Sequence, residues 1–120
     1  MLILGKILIG LIGLLHIYFL VLEMFLWDKP MGLKVFANTP EKAVLTKVLA
    51  QNQGLYNGFL AAGLFWALTL HDNFLFQVAT FFLSCVVVAG VFGAITVSRK
   101  ILYIQAMPAV LALMALYLAH

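Results

Sequence analysis

Two ionisable side chains, His16 and Glu23, stand inside an apolar stretch from Ile7 to Trp27 that is long enough to cross a membrane. Ionisable groups at that depth are costly and mark binding sites or proton pathways. Their separation of seven residues puts them on nearly the same helix face, two turns apart. A histidine there can donate, accept or titrate. A carboxyl in a low-dielectric setting can act as a neutral hydrogen-bond donor, a proton carrier or the counter-ion of a cation.

A second polar group lies further along. The run Gln51-Asn52-Gln53-Gly54-Leu55-Tyr56-Asn57-Gly58 is unusually rich in amides for a segment entering hydrocarbon. With about 100° per residue, Asn52, Gln53, Tyr56 and Asn57 fall within about 140° of one helix face. Gly54, Gly58 and Ala62 form a separate small-residue ridge, where another helix of this chain or of a second copy could approach closely. One face is expected to bind and the other to pack.

Counting inward at ~1.5 Å per residue places Glu23, the Asn52–Gln53 pair and Gln105 at a similar depth, ~6–8 Å below the inner boundary. His16 and Asn57 lie deeper and are expected to meet near the bilayer centre. The residues thus predict a polar pocket open toward the cytoplasmic half, with His16, Glu23, Asn52, Gln53, Tyr56, Asn57 and Gln105 as ligand-binding candidates. Amides and the phenols of Tyr18, Tyr56 and Tyr103 orient a ligand by neutral hydrogen bonds but do not by themselves break bonds.

The elements that must hold these groups follow from composition. The chain has 120 residues, 66% of them hydrophobic and only 9% charged, with a mean hydropathy of +1.16. Too little polar surface is present to solvate a compact globule, so the chain reads as an all-α integral membrane protein of one domain over residues 1–120. Four stretches can each span ~30 Å of hydrocarbon: Leu2–Trp27, Val48–Leu70, Phe74–Val97 and Ile101–Ala119. Helices are expected at about 2–27, 40–70, 74–97 and 101–119. The first has Lys6 ahead of an apolar run, as a signal peptide would, but it is too long and lacks a small-x-small cleavage site, so it is read as a mature helix.

Connections of about three residues at His71–Asn73 and Ser98–Lys100 make successive helices antiparallel neighbours, giving a four-helix up-down bundle. Six of the seven basic residues, Lys29, Lys34, Lys42, Lys47, Arg99 and Lys100, lie in or beside the first and third connections. The positive-inside rule then makes that side cytoplasmic and puts both termini outside a bacterial inner membrane. The net charge of +3 therefore sets topology, and no nucleic-acid partner is implied. In the first connection Trp27 is an interfacial anchor, Asp28-Lys29-Pro30 and Gly32 mark a turn, and Thr39-Pro40-Glu41 reads as N-cap, first-turn proline and acidic first turn. Lys42 and Lys47 sit where anionic head groups would be.

Several features have plainer readings. Glu23 could bond Asn52, Gln53 or Gln105 only to hold helices together. Cys85, alone and mid-span, is a small apolar filler. His16 and Glu23 are too few for a metal centre, no partner at the right depth supports haem on His16, and no cofactor is specified. Pro108 should free the carbonyl of Ile104 and kink the fourth helix or line the pocket.

The segments His16-Ile17-Tyr18, Leu22-Glu23-Met24-Phe25-Leu26-Trp27 and Asn52-Gln53-Gly54-Leu55-Tyr56-Asn57-Gly58 resemble the bacterial membrane family numbered 1304 among the domains of unknown function, and the resemblance extends over essentially the whole chain. It implies a small four-helix inner-membrane protein and brings no established activity.

Three functions compete. The first is a bundle that holds a lipid, quinone or other amphiphile with its head at Glu23 and His16. The second is a proton-coupled small-molecule exporter. The charge bias argues against the dual insertion common in small exporters, and Glu23 lies near a helix end rather than mid-span. The third is a membrane enzyme, isomerase-like, using Glu23 and His16 as proton donor and acceptor on a lipid-soluble substrate, by fold-level analogy alone. A glutathione-type transferase would want several arginines, and only Arg99 is present.

Overall fold

In the computed structural model, which describes residues 1–120, the chain is all-helical and has no strand. Helix α1 runs Leu2–Met24, a short α2 Pro30–Val35, α3 Pro40–Leu68 and α4 Asp72–Thr96; a π-helical turn, Leu102–Ala106, then leads into α5, Met107–Ala119. Three helical runs are long and apolar enough to cross a membrane: Leu2–Met24, Asp72–Thr96 and Leu102–Ala119. The expected fourth span does not meet that measure. At 29 residues α3 is long enough, but Gln51, Asn52, Gln53 and Asn57 lower its apolarity below that of the others.

Local chemistry explains the boundaries. Helix α1 stops three residues short of the expected Trp27 because the chain folds back on its own last turn. The N–H groups of Phe25 and Leu26 both donate to the carbonyl of Val21, and Lys29 N–H donates to Leu26. The connection is a small structured element, since Pro30 opens α2 with its φ preset. Ala37, with φ of 49°, closes that helix as Asn38 N–H reaches back to the carbonyl of Leu33. The expected start of α3 is found: Thr39 Oγ1 accepts from Lys42 N–H at 3.3 Å, Pro40 is the first helical residue, and Glu41 stands in the first turn.

The predicted disturbance at Pro108 takes the form of a π turn. Proline has no N–H to donate, and its ring crowds the carbonyl four residues back. The turn widens just ahead of it, with Met107 N–H donating to the carbonyl of Leu102 five residues away.

The chain forms two compact units, Met1–Leu14 with Leu60–His120, and Leu15–Phe59. In the first unit α4 packs against the π turn and α5. Its core draws Ile9 and Ile12 from α1, Leu64 and Ala67 from α3, Leu75, Ala79, Leu83 and Val86 from α4, and Ala109, Ala112 and Leu116 from α5. The steps of three and four residues along α4 and α5 are those of one buried helical stripe. The second unit holds the end of α1, all of α2 and the first half of α3, and it contains every candidate site residue except Gln105.

Candidate functional site

Within the second unit, the two buried polar or charged residues are the two that the sequence singled out. His16 is fully buried and Glu23 is 4% exposed. Both lie on α1, and two helical turns, ~10 Å along the axis, separate them. His16 meets the ring of Phe19 edge-on, with centroids 5.6 Å apart.

Glu23 is held from α3. Asn57 Nδ2 donates to Glu23 Oε1 at 2.5 Å, across 34 residues of sequence. The contact depends on a missing side chain: a Cβ on Gly54 would stand 2.6 Å from Met24 Cγ and 3.1 Å from Glu23 Cβ. Without it, α1 comes close enough for the short amide of Asn57 to reach the carboxyl. Gly58 lies beside Leu20 in the same way. The small-residue ridge, expected to serve a bundle or a second copy, is used within the chain at Gly54 and Gly58, while Ala62 is exposed.

The expected pairing by depth is shifted. Glu23 was expected beside Asn52, Gln53 and Gln105, and Asn57 beside His16; the observed partner of Glu23 is Asn57. The 140° arc of amides straddles the contact instead of facing it. Asn57, at its edge, turns toward α1 and is half-buried, whereas Asn52, Gln53 and Tyr56 are exposed. Tyr56 is 62% exposed and its ring tilts over Phe59. Gln105 sits half-buried in the π turn of the first unit.

A second set of contacts, missed in the sequence, fastens the connection of this unit to α3. Trp27 Nε1 donates to Thr46 Oγ1 at 3.1 Å, and Lys47 Nζ donates to Asp28 Oδ2 at 3.0 Å. The Trp27 ring also packs on Phe36, with centroids 5.0 Å apart. The available signal was the shared spacing: both polar pairs are 19 residues apart, as two adjacent side chains meeting two adjacent side chains require.

The Lys47 ammonium holds the Asp28 carboxyl below the ordinary aspartate value of 3.8. A carboxyl lowered on folding contributes stability above its unfolded value, and that contribution disappears as pH falls through the folded value. Wild type should therefore melt slightly above Asp28→Asn at pH 5–7, and the gap should close below about pH 4. Because the pair is partly exposed, the gap should also narrow in high salt. A gap independent of both pH and salt would remove the ion pair as its cause.

Chemically, the buried carboxyl–amide bond fixes the rotation of α3 against α1. No three His, Cys, Asp or Glu side chains converge as a metal site would need.

This arrangement can be set beside known proteins. An uncharacterized protein, YpaA, of Lactococcus lactis subsp. lactis (strain IL1403) is 30% identical over 107 residues, covering 88% of this chain and 89% of that protein. No solved structure matches the chain. The segments that carry His16, Glu23 and the amide run all fall within residues 10–117, which match the family described as "Protein of unknown function (DUF1304)", and the chain belongs to that family.

Proposed function

We propose that this protein is a multi-pass protein of the bacterial cytoplasmic membrane, a single-domain four-helix antiparallel up-down bundle with both termini outside, and that it binds the polar head of a lipid-like amphiphile. Three apolar helices support the membrane setting. The basic residues of the first and third connections support the orientation. At 29 residues α3 is ~44 Å long, enough to cross despite its amides.

The observation that carries the binding reading is the exposure of Asn52, Gln53 and Tyr56 on the stretch of α3 whose other side holds Asn57 against Glu23. An amide facing hydrocarbon without a partner costs several kcal/mol. Exposed Leu45, Val48, Leu49 and Phe59 flank these groups. A polar head takes the hydrogen bonds while its tail lies along the apolar flank. Glu23 and Asn57 act from behind, by setting the angle at which α3 presents that face.

Native mass spectrometry of the protein released from mild detergent tests this. A defined amphiphile should accompany wild type and be lost from Asn52→Leu/Gln53→Leu/Tyr56→Phe, a change that adds apolar surface and leaves the Glu23–Asn57 bond in place. The same number and kinds of bound amphiphile on this variant as on wild type, or none on wild type, would overturn the reading.

A further inference from the structure

In the first unit, the start of α1, the start of α4 and the end of α5 enclose a cleft of about 380 Å³. Leu75 and Leu116, both buried, form an apolar floor. Phe76 forms a wall, with the imidazole of His120 stacked on it, centroids 4.0 Å apart and planes 14° from parallel. Two formal charges of opposite sign share the lining, Lys6 from α1 and Asp72 from α4, with the neutral donors and acceptors of His71 and Asn73 beside them.

Lys6 and Asp72 are not paired with each other; the ion pair in this protein joins Lys47 to Asp28 in the other unit. A cation and an anion that line one cleft without meeting leave two complementary positions for a ligand. A purely anionic ligand would satisfy Lys6 and be repelled by Asp72, and a purely cationic one the reverse. A ligand carrying both charges a few ångströms apart satisfies both. Leu2, which also lines the cleft, is exposed, and α1 and α4 are both apolar enough to span a membrane, so a ligand whose head group sits in the cleft can lay an apolar tail along apolar surface.

We infer that this cleft binds a zwitterionic amphiphile, a phosphate–ammonium head group on acyl chains, with Lys6 taking the phosphate and Asp72 the ammonium. The site is separate from the exposed amides of α3 and is made of different residues. Asp72 occupies the left-handed region, with φ of 54°, which asparagine also tolerates. Asp72→Asn therefore removes the charge while keeping the backbone.

The test uses the full chain in nanodiscs of equal phosphatidylethanolamine and phosphatidylglycerol, with the retained lipid counted by native mass spectrometry. Wild type should retain phosphatidylethanolamine over phosphatidylglycerol by about fivefold, the scale of one ion pair of about 1 kcal/mol. Asp72→Asn, which removes the partner of the ammonium, should bring the ratio close to one. Lys6→Gln, which removes the partner of the phosphate that both lipids carry, should lower retention of both by about fivefold and keep the preference. Lys6→Arg should keep wild-type retention, and Asn52→Leu/Gln53→Leu/Tyr56→Phe should leave the ratio unchanged. A wild-type ratio of one, a preference for phosphatidylglycerol, a preference for phosphatidylethanolamine that survives Asp72→Asn, or lipid retention untouched by Lys6→Gln would overturn the inference. Soluble phosphoethanolamine at millimolar concentration should not displace the lipid; displacement would assign the cleft to the free head group instead.

Discussion

Replacing Asn57 by Leu should destabilise the protein by about 1–3 kcal/mol, because it removes the donor to a carboxyl that stays buried. Glu23 cannot turn to solvent: it is 4% exposed and its Cβ lies in the space that Gly54 leaves open. Interhelical hydrogen bonds in membranes average only about 0.6 kcal/mol, with a maximum near 1.7. The larger range is expected here because truncating one partner adds the cost of the orphaned group to the loss of the bond. The double variant Glu23→Leu/Asn57→Leu separates the two contributions. With both polar groups gone, it should recover much of the stability lost in Asn57→Leu alone. Thermal melts of the four proteins in one detergent give the coupling directly. A loss in the double variant equal to the sum of the losses in the two single variants would show that the bond contributes nothing beyond packing. If the double variant melts like wild type yet still binds the amphiphile, Glu23 acts only as a fastening between helices.

Gly32→Ala should cost as much or more, toward or beyond the upper end of the ~1–3 kcal/mol that overpacking typically costs. A Cβ at that position would lie 2.0 Å from the carbonyl oxygen of Leu26 and 3.0 Å from that of Trp27. Both are backbone atoms, so no side-chain rotation relieves the contact, and α2 must lift from the turn it packs on. That movement pulls Phe36 from Trp27 and strains the bond from Trp27 to Thr46. Trp27 fluorescence, read in a Trp66→Phe background, should shift to the red along with the fall in melting temperature. An unchanged spectrum and melt would mean that α2 is not fastened to the turn in the way described.

Much of this protein was legible in its residues. Helix starts were readable where a local chemical signal exists: Thr39, Pro40 and Glu41 mark the start of α3, and Thr39 does cap it. Pro108 announced a disturbed helix, since a missing N–H and a crowded carbonyl are properties of the residue itself. The end of α1 was less legible. Phe25, Leu26 and Trp27 are as apolar as the turns before them, and nothing in them states that two of their N–H groups converge on Val21. The fastening of Trp27 to Thr46 was hard to read because a threonine among lysines has no signature of its own, and only the 19-residue spacing that it shares with Asp28 and Lys47 points to it.

What the sequence determined by itself is the membrane-compatible helical plan and the choice of His16 and Glu23 as buried polar residues. Both follow from one-dimensional facts, the length of the apolar runs and the period of 3.6. That period fixes the angles between residues of one helix, so Asn52, Gln53, Tyr56 and Asn57 had to share an arc. It does not fix how the helix is rotated against its neighbour. The tertiary structure decided that, through Gly54: its missing side chain lets α1 approach on that side, which turns Asn57 inward to Glu23 and leaves Asn52, Gln53 and Tyr56 facing out.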